Sequence, residues 1–316
     1  MQLDTTPQRT VKVSAPGTVA NLVCGFDVLG LCLNHPADEM LVTITGKSVI
    51  TISHTDGFPL PLDAAQNTAG APLLEIKKLL PAQTGFDILI KKNIKPGSGI
   101  GSSAASAAGA VVAANYLLGN PFNKEEMVQF ALFGEKAASG VKHADNVAPC
   151  IYGGITLIRN IFPLDIIRLS APPLWVTIVH PQIEVRTADA RQILKKQVLL
   201  KDAIKQWGNI AGLVAGLLQH DYNLIARSLE DVIIEPVRSI LIPGFNEIKK
   251  RSIRAGALGG GISGSGPSVF MLSKDEQTAQ NVKTEMNKIY DAIGLSHHVH
   301  ITSINTQGVK IVTEYN

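Results

Sequence analysis

The chain has 316 residues, of which 45% are hydrophobic and 17% are charged, a composition that excludes a disordered protein and suits about two folded domains. Its net charge of +3 is spread along the sequence and only 5% of residues are aromatic, whereas a nucleic-acid-binding protein would concentrate both features on one surface. No apolar run has the length of a membrane span, and the first nine residues lack the apolar core of a signal peptide. The three cysteines form no CxxC pair, so we expect a protein of the reducing cytoplasm.

The first half of the chain predicts an α+β unit rich in strands. Alternating apolar residues predict strands at 11–13, 40–45 and 86–90. The Gly, Pro, Asp and Asn residues of 55–71 predict a loop. After residue 100 the pattern changes to that of an alanine-rich helix over 102–118.

A domain boundary is predicted between residues 157 and 173, where the pattern becomes irregular, and divides the chain into 1–170 and 171–316. The second half begins with a buried strand at 174–179. Helices are then predicted at about 187–197, 202–219, 221–231, 244–256 and 275–294, and strands at about 267–272, 298–304 and 308–313.

The strongest chemical signal is the glycine-rich segment KPGSGIGSSAASA, residues 95–107, which lies between a predicted strand and the alanine-rich helix. Alternate glycines let the backbone approach a ligand closely, and the following helix offers free N–H groups and the positive end of its dipole. This combination predicts a phosphate site. The segment lacks the GK[ST] of a Walker loop and the third glycine of a dinucleotide fingerprint. A structural turn is the alternative, and alanine at Gly99 or Gly101 is expected to occupy phosphate space.

Polar residues elsewhere suggest what surrounds this loop. Asn21 and Asp27 interrupt a small, apolar stretch, which predicts that they face a cavity or a partner, with turn capping as the alternative. Glu135, together with a hydroxyl from Ser102 or Ser103, could supply the oxygen ligands that Mg²⁺ prefers. An exposed helical carboxylate is the alternative for Glu135.

Two arginines in the second half suggest an acidic substrate. Thr187 and Arg191 lie four residues apart at the start of a predicted helix and therefore share one face. Arg238 follows in the segment EPVR, and a guanidinium group binds a carboxylate or phosphate in a planar fork. Ordinary surface arginines are the alternative. A second glycine cluster, residues 256–268, permits close packing onto another backbone or a ligand.

Together these segments resemble the GHMP kinase family, whose members transfer a phosphate from ATP to small molecules. PGSGIGSSA, residues 96–104, matches the phosphate loop of the family, and residues 15–17 and 259–267 look like its first and third motifs. The three motifs stand in the family order and span nearly the whole chain. The resemblance implies an α+β, two-domain GHMP kinase fold with an N-terminal ATP-binding domain like ribosomal S5 domain 2, over 1–170, and a ferredoxin-like domain over 171–316.

Within this family the chain is most similar to the branch that phosphorylates L-homoserine, through residues 20–30, 143–146, 187–191 and 235–238. The resemblance implies that ATP and L-homoserine give ADP and O-phospho-L-homoserine, a step toward threonine, in a cytoplasmic enzyme that forms a homodimer. Another GHMP kinase of the mevalonate type and a non-catalytic, ligand-binding member of the family are the alternatives.

The resemblance also implies roles for individual residues. Substrate contacts would come from Asn21, Asp27, Asn146, Thr187, Arg191 and Arg238. ATP would contact Asn67, near the adenine, and the loop residues Pro96, Gly97, Ser98, Gly99, Ile100, Gly101, Ser102, Ser103 and Ala104. Mg²⁺ would be held by Glu135 with Ser103 or Ser102.

The catalytic candidates are Asn146, Asp27 and Arg191. Several members of the family carry a catalytic aspartate where this chain has Asn146, and an amide cannot accept a proton as a base. The resemblance therefore implies catalysis by positioning, Mg²⁺ and the helix dipole, with the hydroxyl proton passing to the γ-phosphate. Asp27 is the alternative base.

Overall fold

The computed structural model describes residues 9–185 and 187–315. The strands are β1 (Thr10–Ala20), β2 (Leu29–Thr45), β3 (Ile50–His54), β4 (Gly85–Lys91), β5 (Ile155–Ile161), β6 (Leu164–Leu169), β7 (Trp175–Pro181), β8 (Gly259–Ile262), β9 (Val269–Ser273), β10 (His297–Ser303) and β11 (Lys310–Tyr315). The helices are α1 (Gly70–Lys77), α2 (Ser102–Leu117), α3 (Lys124–Ser139), α4 (Val147–Tyr152), α5 (Thr187–Gln192), α6 (Leu200–Gln219), α7 (Tyr222–Ser228), α8 (Glu235–Arg238), α9 (Phe245–Arg254) and α10 (Glu276–Ala292), with a 3₁₀ turn at Ser239–Leu241.

The strands form two sheets. In the larger sheet the order is β11-β1-β2-β4-β3, and the antiparallel pair β5-β6 joins it through β2. The smaller sheet is antiparallel throughout, in the order β10-β7-β9-β8. The predicted α+β class is therefore confirmed.

Several predicted elements were wrong in extent or kind. The strand predicted at 11–13 extends over Thr10–Ala20, and the helix predicted at 187–197 ends at Gln192. The segment 157–173, predicted to be irregular, contains most of the hairpin β5–β6. The short strand predicted at 40–45 is the end of the seventeen-residue β2, whose first five residues are all buried. A strand buried on both faces is apolar without alternation, so the period-2 pattern appears only where β2 has an exposed face.

The predicted division into domains 1–170 and 171–316 stays a prediction. All four strands of the smaller sheet lie within the second range. The last strand, β11, instead pairs with β1 in the larger sheet, from Thr10 opposite Tyr315 to Ser14 opposite Lys310. One hydrophobic cluster also contains residues of both ranges, such as Leu31 and Phe270. The two sheets are therefore joined by shared core packing as well as by chain connections.

The alanine-rich helix α2 lies in the centre of the larger unit. Thirteen of its sixteen residues are buried, which is typical of a helix surrounded by protein on every side. Small side chains allow this close packing: a methyl group built on Gly109 would lie 3.0 Å from both Ala15 Cβ and Met40 Sδ. The packing fixes α2, and its N-terminus, against the sheet.

No helix within residues 9–185 and 187–315 combines the length and apolar character needed to cross a membrane.

Candidate active site

Most of the predicted site residues lie around one cavity of about 430 Å³. The cavity extends from the N-terminus of α2 to the arginines contributed by α5 and α8. The predicted residues that line it are Asn21, Asp27, Pro96, Gly97, Gly99, Gly101, Ser102, Ser103, Glu135, Asn146, Arg191 and Arg238. The sequence-based grouping of these residues therefore corresponds to a single concave space, as a ligand site requires.

The glycine-rich loop has the backbone geometry of an anion site. Gly97, Gly99 and Gly101 have φ angles of 75°, 78° and 67°, in the left-handed region that favours glycine. Gly101 is also the N-cap residue of α2, whose first turn has no side-chain cap and no acidic residue. The first N–H groups of the helix and its dipole thus remain available to a phosphate.

The second glycine cluster holds this loop in place. The Ser263 hydroxyl donates to the Gly99 carbonyl at 2.7 Å, and the Ser268 hydroxyl donates to the Ser98 carbonyl at 2.7 Å. Both bonds engage carbonyl oxygens of the loop. These oxygens carry partial negative charge and would otherwise repel an anion. The cluster at 256–268 therefore supports the phosphate loop.

The glycines differ in what a side chain would meet. A methyl group on Gly101 would lie 1.9 Å from Thr18 Oγ1, and one on Gly99 would lie 2.6 Å from the Gly266 carbonyl oxygen. An added methyl group would therefore clash with protein atoms at either position, and the expectation that it would also occupy phosphate space stays a prediction. A methyl group on Gly97, by contrast, would have no protein atom within 4 Å.

A buried ion pair that the sequence patterns did not predict lies beneath the loop. Lys92 forms an ion pair with Asp38 and also donates to the Ser102 carbonyl at 2.8 Å and to Ser106 Oγ at 2.9 Å. Burial lowers the pKa of Lys92 and raises the pKa of Asp38. The attraction between the two opposite charges counteracts both pKa shifts. Lys92 also lines the cavity, so it brings a positive charge to the start of α2.

The proposed metal ligands are adjacent. The Ser103 hydroxyl donates to Glu135 Oε1 at 2.6 Å, whereas the Ser102 hydroxyl donates to the Ile94 carbonyl at 2.9 Å. Glu135 is buried, and burial raises its pKa although the bond from Ser103 opposes this. Within the described part of the chain no basic side chain pairs with Glu135, so a cation would find an uncompensated acidic group there. This arrangement favours Ser103 over Ser102.

At the other end of the cavity, Asp27 and Arg191 form a bidentate pair. Arg191 Nη2 donates to Asp27 Oδ1 at 2.9 Å, and Arg191 Nη1 donates to Asp27 Oδ2 at 3.2 Å. The Asp27 N–H donates to Asn21 Oδ1 at 3.0 Å, and both residues have positive φ angles, 61° for Asp27 and 75° for Asn21. Such strained backbone commonly occurs at ligand sites. The bidentate contact makes the Asp27 carboxylate a weak candidate for a base.

Arg238 is the more deeply buried of the two arginines. Its Nε donates to the Ala190 carbonyl at 3.0 Å and its Nη1 to the Gly264 carbonyl at 3.2 Å. Asn21 Nδ2 also donates to the Gly264 carbonyl, at 2.9 Å. Burial, with a smaller effect of Arg191, lowers the pKa of Arg238 to about 10, so it remains charged at neutral pH. Nothing in the described ranges accepts a hydrogen bond from its Nη2.

Between the two ends lie Asn146 and three residues that were not predicted to belong to the site. The Thr18 hydroxyl donates to Asn146 Oδ1 at 2.7 Å, which leaves the Asn146 amide N–H groups for a ligand. Burial, with the nearby charges of Asp27 and Glu135, raises the pKa of Asp145 to about 7. His143 Nδ1 lies 3.9 Å from Asp27 Oδ1. For Asp145 and His143 the sequence did offer a signal, since each is a polar residue beside an apolar run. No comparable signal in the sequence pointed to Thr18.

Several predicted residues do not line the cavity. Asn67 uses its side chain within its own loop, donating to the Pro61 carbonyl at 2.6 Å and accepting from the Ala69 N–H at 2.8 Å. Its neighbours Gln66 and Thr68 line the cavity instead, and contact between Asn67 and adenine stays a prediction. Ser98, Ile100 and Ala104 support the loop from its buried side. The side chain of Thr187 lies outside the described residues.

Known proteins match this chain in sequence over nearly its whole length. Residues 67–154 match the model of the GHMP kinases N terminal domain, and residues 213–292 match that of the GHMP kinases C terminal domain. A homoserine kinase of Chloroherpeton thalassium is 44% identical over 312 residues, covering 94% of this chain and 98% of that protein. A homoserine kinase of Methanocella arvoryzae is 39% identical, covering 96% and 97%.

Solved structures agree with these matches. The crystal structure of homoserine kinase from Cytophaga hutchinsonii superposes with a TM-score of 0.93 at 47% identity, covering 99% of this chain and all of that one. Mevalonate kinase from L. major, solved with R-mevalonate, shares the fold alone, with a TM-score of 0.72 at 17% identity over 96% and 98% of the two chains. The two-domain fold implied by the resemblance is thereby confirmed, and the chain belongs to the GHMP kinase family.

Proposed function

We propose that this chain transfers the γ-phosphate of ATP to the hydroxyl group of L-homoserine, giving ADP and O-phospho-L-homoserine for threonine biosynthesis. The main observation in support is that one cavity connects the glycine-rich loop at the N-terminus of α2 with a cluster formed by Arg191, Arg238 and Asp27. The loop suits phosphates, and the cluster suits a small molecule with one carboxylate and one ammonium group. The homoserine kinases that resemble this chain over nearly its full length support the same assignment.

The arginine cluster would orient the amino acid. Arg238 presents Nη2 to the substrate carboxylate, and Arg191 can contact the same carboxylate while it keeps Asp27 in place. The Asp27 carboxylate would then attract the substrate ammonium group. Recognition of both charges at one end directs the hydroxyl of the substrate toward the phosphate loop.

The chemical step would depend on positioning and electrostatics. A substrate hydroxyl oxygen bonds to the γ-phosphorus while the bond between that phosphorus and the β–γ bridging oxygen breaks. The hydroxyl proton passes to a γ-phosphate oxygen, because Asn146 has no basic group and Asp27 is paired with Arg191. The amide N–H groups of Asn146, together with the helix dipole, would stabilise the charge that develops on the phosphate.

The residues present fit Mg²⁺ as the companion of ATP. Glu135 is an uncompensated buried carboxylate, and Ser103 Oγ lies beside it at 2.6 Å. These two oxygen ligands suit an ion that keeps most of its coordination for water and phosphates. Bound Mg²⁺ would neutralise charge on the transferred phosphate.

We also propose a cytoplasmic homodimer. Cys24, Cys32 and Cys150 are all free and buried, as expected in a reducing compartment. Helix α6 exposes a row of large apolar side chains on one face, namely Leu200, Ile204, Trp207 and Leu218. Such a face on a cytoplasmic protein suits contact with a second copy. Sedimentation of wild type and Trp207→Lys would test this, since the substitution should give monomers.

The activity is tested by coupled ADP release with L-homoserine, mevalonate and 3-aminopropan-1-ol, which lacks the carboxylate. Homoserine should be the best acceptor, and Arg238→Leu should lower its kcat/KM by about 30- to 150-fold, the value of one charge-assisted contact. The matched control is Arg251→Leu, since Arg251 pairs with Glu285 on another surface. Faster turnover of mevalonate would instead indicate a mevalonate-type kinase, and no turnover of any acceptor would indicate a non-catalytic protein.

A further inference from the structure

The aromatic ring of Phe26 contacts both arginines of the substrate end. Its centroid lies 4.9 Å from Arg238 Cζ and 5.4 Å from Arg191 Cζ, within the range of cation–π attraction. Phe26 lines the same cavity as the two arginines. We infer that Phe26 is a positioning residue that holds the two guanidinium groups ready for a substrate carboxylate, an inference that rests on the proposed function.

The positive charges of the two guanidinium groups are compensated unequally, and the Phe26 ring stabilises the one that lacks an acidic partner. Arg191 has an acidic partner in Asp27, whereas the hydrogen bonds of Arg238 in the described part of the chain go to the neutral carbonyls of Ala190 and Gly264. Arg238 is only 3% exposed, so water compensates its charge poorly. The negative face of an aromatic ring attracts a cation without forming the ion pair that would occupy its N–H groups.

The chain places the ring and the carboxylate as neighbours. Residues 21–23 and Asp27 have positive φ angles, and the Asp27 N–H donates to Asn21 Oδ1. This compact turn directs the consecutive residues Phe26 and Asp27 to the same guanidinium group of Arg191. Arg191 is thus held by a ring and a carboxylate, while the same ring reaches Arg238.

The consequence is a carboxylate site prepared before the substrate arrives. Without the ring, repulsion between the two guanidinium groups would separate them, and binding would have to restore their spacing. Such preorganisation lowers the substrate concentration needed for binding. It acts before the chemical step, so it should affect the KM for homoserine and leave kcat and the KM for ATP nearly unchanged.

The test compares Phe26→Leu, which keeps an apolar side chain, with Phe26→Tyr, which keeps the ring. We expect Phe26→Leu to raise the KM for homoserine by about 5- to 30-fold, the range between an exposed and a desolvated cation–π contact, with kcat within about threefold. Phe26→Tyr should stay within about threefold of wild type in both constants. The matched control is Phe162→Leu, since Phe162 is 73% exposed on the β5–β6 turn.

Calorimetric binding of L-2-aminobutyrate, which has the carboxylate and ammonium groups but no hydroxyl, gives a readout independent of turnover. Its affinity should fall in Phe26→Leu by the same factor and recover in Phe26→Tyr. Equal affinity in wild type and Phe26→Leu, no binding to wild type, or an equal loss in both variants would overturn the inference. Failure of wild type to phosphorylate homoserine would instead refute the proposed function, so the two failures are distinguishable.

Discussion

Replacing Lys92 by methionine should test how the buried ion pair supports the phosphate loop. The methionine keeps the volume but leaves Asp38, which is fully buried, without its cation. Breaking one partner of a buried ion pair costs about 3–5 kcal/mol. Asp38 retains the Asn93 and Ile94 N–H donors, both at 2.8 Å, so we expect the lower part of that range.

The expected change in melting temperature follows from the size of the protein. An unfolding entropy of about 2.1 cal/mol/K per residue gives about 660 cal/mol/K for 316 residues, so 3–5 kcal/mol corresponds to about 5–8 °C. Turnover should fall at least tenfold, because Lys92 also holds the Ser102 carbonyl and Ser106 at the start of α2. Calorimetry and the coupled ADP assay measure the two effects.

Two further variants make the result specific. Lys91→Met is the matched control, since Lys91 is the exposed last residue of β4, directly before Lys92, and its replacement should change neither quantity. Asp38→Asn combined with Lys92→Met removes both charges and should recover at least half of the lost stability. A single Lys92→Met variant that melts within 1 °C of wild type, or a double variant less stable than the single one, would refute this reasoning.

Other parts of the site give three more predictions. Gly101→Ala should lower kcat at least tenfold and lower the melting temperature more than Gly97→Ala does, because its methyl group meets Thr18. Alanine is strained at both left-handed φ angles, but the space around Gly97 is open, so Gly97→Ala should cost less stability and raise the KM for ATP. Equal melting temperatures of the two variants would contradict this. Glu135→Gln should raise the Mg²⁺ concentration needed for half-maximal activity several-fold, and an unchanged Mg²⁺ titration would reject Glu135 as a ligand. Burial holds the pKa of Asp145 at about 7, above its ordinary 3.8, so its contribution to stability is present below about pH 4 and is lost as the pH rises through 7. Asp145→Asn cannot ionise, so its melting temperature relative to wild type should rise between pH 4 and 7 and then level off; a difference independent of pH would contradict a raised pKa.

Local patterns in the sequence predicted the parts of the site that local structure creates. The spacing of Gly97, Gly99 and Gly101 before an alanine-rich segment was sufficient to predict a loop at a helix N-terminus. Asn21 and Asp27 were predicted to face a cavity because polar groups in an apolar stretch need partners, and both line it. In each case the signal lay within a few residues of the feature.

Features that depend on distant partners could not be predicted in this way. In the sequence Lys92 resembles a surface lysine next to Lys91. Its partner Asp38 is 54 positions away, so no local pattern shows that Lys92 is buried and paired. The Thr18 bond to Asn146 spans 128 positions. The sequence shows Phe26 only as one apolar residue beside Asp27, because its contact with Arg238 exists only in the folded chain.

The pairing of β11 with β1 has a consequence for the order of folding. Joining Thr10 to Tyr315 closes a loop of about 300 residues, and the entropic cost of closing such a loop is about 5 kcal/mol, from (3/2)RT ln n. All six residues of β11 are partly or fully exposed, so this strand gains little from apolar burial to offset that cost. It should therefore join the sheet only after the rest of the core has formed, and its amide protons should be among the first in the larger sheet to exchange with solvent.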